Sequence, residues 1–326
     1  MSIATGIGSW PGTSVRDVLG MVREVLDGHL PYLPELPARG PGADLVGRTT
    51  GLLVELSADL QPNGWRLVDR PGMDARRARA FLREDLDELA EAYDGYVGPL
   101  KLQVAGPWTL AGSLWLSRGE RAVVDPGACR DLIGSLAEGV RLHVEAVRQL
   151  VPGAVITLQV DEPLLPAVVM GRLPTASGLG RLPAPDQQAV ASGLATVLEA
   201  HAGETVIHCC AAEPPLPLLR STGVGALSLD TSLLGPRQWE GVAVAVEDGM
   251  RLFAGAVPTD GSTPRAQDLA DRLEDAWSRL GMPQAGLADI VVTPACGLAG
   301  LPPDVAQTVQ RTAVDLAREL DERSVR

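Results

Sequence analysis

Eight short apolar runs recur along this chain, separated by longer stretches whose apolar residues fall at three-and-four spacing. The runs lie near 4–8 (ATGIG), 31–34 (PYLP), 99–104 (PLKLQV), 154–160 (AVITLQV), 204–208 (ETVIH), 225–229 (GALSL), 251–256 (RLFAGA) and 289–293 (DIVVT). The helical patterns cover 14–26, 45–60, 74–93, 126–150, 184–201, 213–221, 236–247, 264–280 and 303–321. Strands alternating with helices predict parallel βα units, and eight such units close a barrel. The fold class expected is therefore α/β, a (β/α)8 TIM barrel. An open doubly wound sheet is the alternative, but no G-x-G-x-x-G follows the first run.

The Pro/Gly-rich stretches 31–42 and 171–186 read as internal loops, and nothing resembles a linker, so residues 1–326 are expected to form one domain. At 326 residues and 45% hydrophobic the chain can bury a large core. No run of about 18 apolar residues suits a membrane span. The start, MSIATGIGSWPG, has neither the basic residues nor the apolar core of a signal peptide, which predicts a cytoplasmic protein. A formal charge of −13 argues against nucleic acid as a partner and leaves a small molecule or another protein.

Four cysteines, Cys129, Cys209, Cys210 and Cys296, are too few for a disulfide framework and read as free thiols or metal ligands. On the strand map the unusual residues collect at C-terminal strand ends, where barrels gather catalytic groups. Ser9 follows the first run, Glu35 the second, and Asp161 and Glu162 the fourth. His208 to Cys210 end the fifth, Asp230 ends the sixth and Cys296 follows the eighth.

In VIHCC the alternation of a strand sends His208 and Cys210 to one side and Cys209 to the other. An imidazole and a thiolate on one side can share a metal ion, with Cys296 and Asp230 as further donors. Such a mixed N, S and O set suits Zn2+. Core packing is the competing reading, since free cysteine is commonly buried. Cys129 reads as a packing residue, and His29, His143 and His201, on helices or their ends, as surface or capping residues. In QVDEP, two carboxylates end an apolar strand, where they must bind a cation or backbone donors, or Asp161 or Glu162 caps the helix that follows. The GIGSW turn offers backbone N–H groups and the Ser9 hydroxyl to a carboxylate.

Taken in order, GIGSWPGT, QVDEP, IHCC, SLDTS and TPACGL resemble the catalytic C-terminal barrel of cobalamin-independent methionine synthase, within the wider group that includes uroporphyrinogen decarboxylase. The resemblance spans about residues 3 to 320. It implies zinc bound by His208, Cys210 and Cys296, with Asp230 in the place of a glutamate. It implies homocysteine held by Ser9 with Ile7 and Gly8, by Asp161 beside Glu162, and by Glu35. The implied activity is methyl transfer to the homocysteine thiol, giving methionine, from methyltetrahydrofolate or a methylated corrinoid protein. The family's histidine after strand seven is missing from GAVPTDGS, where Asp260 is the nearest ionisable group and the expected aid to proton transfer. The alternatives are a metal-free decarboxylase-like barrel, transfer to another thiol such as coenzyme M, and a non-catalytic zinc module.

Overall fold

The computed structural model describes residues 1–325. Its strands are β1 (Ile3–Ala4), β2 (Ser57–Gln61), β3 (Gly64–Val68), β4 (Val97–Ala105), β5 (Gly153–Asp161), β6 (Thr205–Cys209), β7 (Ala226–Asp230), β8 (Arg251–Val257) and β9 (Val291–Pro294). Seven of these form one curled parallel sheet in the order β1-β9-β8-β7-β6-β5-β4.

The space between β1 and β4 is spanned by the PYLP segment. Leu30 N–H donates to Ala4 O at 3.0 Å, Glu35 N–H to Gly8 O at 3.0 Å, and Trp10 N–H to Glu35 O at 2.8 Å. On the other side Lys101 N–H donates to Pro31 O at 2.8 Å and Leu33 N–H to Lys101 O at 3.0 Å. The expected second strand is thus present only as isolated bridges, Ser9 with Glu35 and Tyr32 with Lys101. Pro31 and Pro34 lack the N–H groups that a continuous ladder needs.

Alternation along the strands divides the barrel into two environments. Leu100, Leu102 and Val104 of β4, and Ile156, Leu158 and Val160 of β5, face the helices and join the main core. On the inward parity, Leu30, Val206, Ala226, Phe253 and Val291 make a separate apolar floor. Above that floor the inward positions turn polar, with Lys101, Gln103, Gln159, Asp161, His208, Ser228 and Thr293 all buried. A polar layer sealed below by apolar side chains opens only toward the C-terminal strand ends.

Long helices, among them Val15–Val25, Met73–Ala92, Pro126–Leu150 and Pro303–Ser324, surround the sheet. The helix Pro126–Leu150 starts on its own cap: Asp125 accepts from Gly127 N–H and Ala128 N–H, with Pro126 at the first helical position. The expected helix over 45–60 stops at Thr50 (Leu45–Thr50), and the chain then forms the antiparallel β2–β3 hairpin. Pro62 and Asn63 turn the chain between the two strands, so local turn chemistry overrides the helical spacing. Short helices at Pro107–Ser113 and Leu165–Val169 were also not expected. Among the described residues no helix is long and apolar enough to cross a membrane.

His143, expected at the surface, is buried on the inner face of Pro126–Leu150. Burial and nearby Arg48 push its imidazole down to about 3. The folded chain therefore holds His143 neutral, whereas the unfolded chain protonates it near the ordinary value of 6.5. Its contribution is fully present above about pH 6.5 and is lost as the pH falls toward 3, with a slope of up to about 1.4 kcal/mol per pH unit. Urea midpoints followed from pH 7 to pH 4 should fall more steeply in the wild type than in His143→Leu; equal slopes would contradict this. His29 and His201, expected as surface or capping residues, bond to strand backbone instead: His29 Nδ1 accepts from Ala4 N–H at 3.2 Å, and the buried His201 has Nε2 2.9 Å from Ile156 O.

Candidate metal and substrate site

The alternation of β6 places His208 inward and Cys209 in the main apolar core, while Cys210 follows the strand end on the inward side. Cys296 arrives just past β9. The Cys210 and Cys296 sulfurs lie 3.5 Å apart. One donor atom from each of His208, Cys210 and Cys296 falls within 4.8 Å of the other two. His208 Nδ1 lies 3.0 Å from Ser228 Oγ, whereas Nε2 is buried with no hydrogen-bond partner among the described residues. With its proton on Nδ1 and bonded to Ser228, the ring offers an Nε2 lone pair toward the two sulfurs.

A buried acceptor without a donor is costly unless something occupies the space beside it. An imidazole nitrogen and two thiolates around one point suit Zn2+, which takes soft and borderline donors without a geometric demand of its own. Of the two thiols, Cys296 is pushed down by its hydrogen bond with Cys210 and then by His208, while Cys210 is pushed up as it keeps the shared proton. Cys209, by contrast, is pushed up to about 12 by burial and stays a neutral core residue.

A cavity of about 280 Å³ adjoins the three donors, lined also by Ile7, Gly8, Ser9, Glu35, Asp161 and Gly297. Among the described residues neither arginine nor lysine lines it. Asp161 Oδ1 accepts from Gln159 Nε2 at 2.7 Å, which leaves Oδ2 without a protein donor among the described residues. Burial pushes Asp161 up to about 6, against the pull of His208 and Lys101. Burial likewise pushes Glu35 up to about 7, opposed mainly by Arg48. The glycines allow close approach: a Cβ on Gly8 would lie 2.7 Å from Gln103 Cγ, and one on Gly297 would overlap Ser9 Oγ. Leu298 N–H donates to Ser9 O at 2.9 Å, so the first and last turns of the barrel are tied together beside the sulfurs.

The family model described as "Cobalamin-independent synthase, Catalytic domain" matches residues 1–319. The chain belongs to this family. A B12-independent methionine synthase from Shewanella sp. W3-18-1, solved in complex with selenomethionine, is similar in fold at a TM-score of 0.66 and 14% identity, covering 98% of this chain and 97% of that one. A putative fructose-1,6-biphosphate aldolase from Coccidioides immitis matches at a TM-score of 0.30 and 13% identity, over 75% of this chain and 85% of that one. No curated protein sequence matches the chain.

In this cobalamin-independent synthase domain, three expected site residues lie apart from the cavity. Asp230 Oδ1 accepts from Ser232 N–H at 2.9 Å and from Ser232 Oγ at 2.6 Å, and it does not join the three metal donors. Asp260, on the loop after β8, repeats that turn with Ser262, at 2.9 and 2.6 Å. The Ser262 hydroxyl and N–H hold its exposed carboxyl below the usual range. Asp260 is thus ionised at neutral pH, away from the cavity, and unsuited to give up a proton.

Glu162, expected at the substrate, points the other way from Asp161 because neighbours on a strand face opposite sides. Its carboxylate accepts from Trp108 N–H at 2.9 Å, Thr109 N–H at 2.7 Å and Thr109 Oγ1 at 2.7 Å, so it caps the helix Pro107–Ser113. Sequence reasoning missed Gln159 and Ser228, the partners that orient Asp161 and His208. Their signal was present: each is a polar residue two positions before a site group or a strand-end acid, inside an otherwise apolar strand.

Proposed function

We propose that this protein is a zinc-dependent methyltransferase that converts homocysteine to methionine, with methyltetrahydrofolate or a methylated corrinoid protein as donor. The observation that carries this reading is that one small cavity presents His208, Cys210 and Cys296 on one wall and the free oxygen of Asp161 on another. Zinc bound to those three residues would supply the Lewis acidity that keeps a substrate thiol deprotonated at neutral pH. With Asp230 turned to Ser232, zinc would be held by three protein residues, which would leave room beside it for a substrate thiol.

The chain's own residues then act on the rest of the amino acid. Asp161 and Glu35 make the cavity acidic and suit an ammonium group, while the Ile7-Gly8-Ser9 turn offers its hydroxyl to a carboxylate. An acidic lining, with no arginine or lysine among the described residues, disfavours the polycarboxylate of a decarboxylase and the sulfonate of coenzyme M, since either anion would meet uncompensated repulsion. The selenomethionine complex of the Shewanella methionine synthase fits a product of this class. Free cysteines suit the reducing cytoplasm.

The test is methionine formation from homocysteine by zinc-loaded protein, supplied separately with methyltetrahydrofolate and with methylcobalamin. Product from one of them identifies the donor. Absence of product from both overturns the reading.

A further inference from the structure

Lys101 is the only lysine in the sequence, and its side chain is fully buried inside the barrel beneath the cavity. Every other member of the 28 Lys and Arg residues is arginine. Filling this interior position needs only an apolar side chain such as methionine, and an ammonium group here loses its hydration. Burial accordingly pushes Lys101 down to about 7, although Asp161 and Glu35 oppose that shift.

The bonds of Lys101 show what the cation does. Nζ donates to Ile7 O at 2.8 Å and to Gln159 Oε1 at 2.8 Å, and it stands 5.3 Å from the centre of the Tyr32 ring. An amide presents oxygen on one side and NH2 on the other. With Oε1 held by Lys101, Gln159 must aim Nε2 the opposite way, where it donates to Asp161 Oδ1 at 2.7 Å and Ile7 O at 2.8 Å. Were the amide turned over, its oxygen would face the Asp161 carboxylate and its NH2 would face the Lys101 ammonium, acceptor against acceptor and donor against donor.

We propose that Lys101, acting through Gln159, is a positioning residue for recognition of the substrate's amino group: it fixes the Gln159 amide so that Asp161 presents its free oxygen to an α-ammonium. The inference rests on the proposed thiol-binding function but concerns discrimination, which can be measured without methyl transfer. A role confined to filling the barrel predicts lower stability with unchanged selectivity. The positioning role predicts a specific loss of selectivity for the amine.

The experiment is calorimetric titration of the zinc-loaded protein with L-homocysteine and with 4-mercaptobutanoate, the same thiol acid without the amino group. Wild type should prefer homocysteine. In Lys101→Met that preference should fall about tenfold, with 4-mercaptobutanoate affinity nearly unchanged. Gln159→Met should show the same loss and carries the test if Lys101→Met does not fold. The double variant should lose no more than either single one, as expected of residues acting in one chain of contacts.

Variants that keep the wild-type preference, or that lose both thiols equally, overturn the proposal while leaving thiol binding intact. A wild type that binds homocysteine without preference overturns it as well. Wild-type protein that binds neither thiol removes the functional reading itself, and the role of Lys101 with it.

Discussion

Cys296→Ala is expected to abolish stoichiometric zinc binding and to lower methionine formation by on the order of a thousandfold, the equivalent of about 4 kcal/mol of lost transition-state stabilisation. The variant leaves His208 and Cys210 as a two-donor remnant, and the Cys210 sulfur loses the neighbour 3.5 Å away. Cys210→Ala should behave alike. Cys209→Ala is the informative control, because that thiol sits in the apolar core one residue away and faces away from the site. It should keep one zinc per chain while losing about 1 kcal/mol of stability to a small cavity. Ser228→Ala should weaken zinc binding by about 10- to 100-fold, since it removes the partner that fixes the His208 ring. Elemental analysis of the four purified variants decides the matter. Zinc retained in Cys296→Ala, or lost in Cys209→Ala, would show that the ligand assignment is wrong.

The directions that can be read from the sequence are those that follow from the period of a strand. His208 and Cys210 share a side and Cys209 does not because side chains alternate, whatever surrounds them. The same rule, applied one residue further, separates Asp161 from Glu162, which the family resemblance places together at the substrate. What sequence could not show was that a helix beginning at Pro107 would supply three donors to Glu162. Asp230 and Asp260 failed for one shared reason. Both stand in an Asp-x-Ser step, D-T-S at 230–232 and D-G-S at 260–262, and in both the carboxylate closes on the serine two residues ahead. A local turn forms at little entropic cost, so it wins over a distant ligand unless the fold brings that ligand into contact. The barrel itself was legible in its eight runs, but the prolines of PYLP and the Pro-Asn turn before Gly64 show where local chemistry interrupts a periodic pattern.

Asp85→Ala is expected to destabilise the protein by about 3–5 kcal/mol, the usual result of removing one member of a buried ion cluster. Asp85 is completely buried on the helix Met73–Ala92, where it receives Arg39 Nη2 at 2.5 Å and is bonded by Arg48 Nη1. Both guanidinium groups are nearly inaccessible to water, so neither can recover hydration once the carboxylate is gone. The consequence reaches the cavity through Arg48, which draws the pKa of Glu35 down against the effect of burial. Without Asp85, Glu35 becomes the main carboxylate left to balance Arg48, and pairing with it would compete with binding of the substrate's ammonium. The variant should therefore show two separable losses, a lower urea midpoint and weaker homocysteine binding. Glu138→Ala, which breaks the exposed Glu138–Arg141 pair, should show neither. A drop of less than about 1 kcal/mol in Asp85→Ala would mean that the arginines reach solvent or find other partners. In that case Arg48 would no longer set the charge of the cavity wall, and homocysteine affinity should stay at the wild-type value.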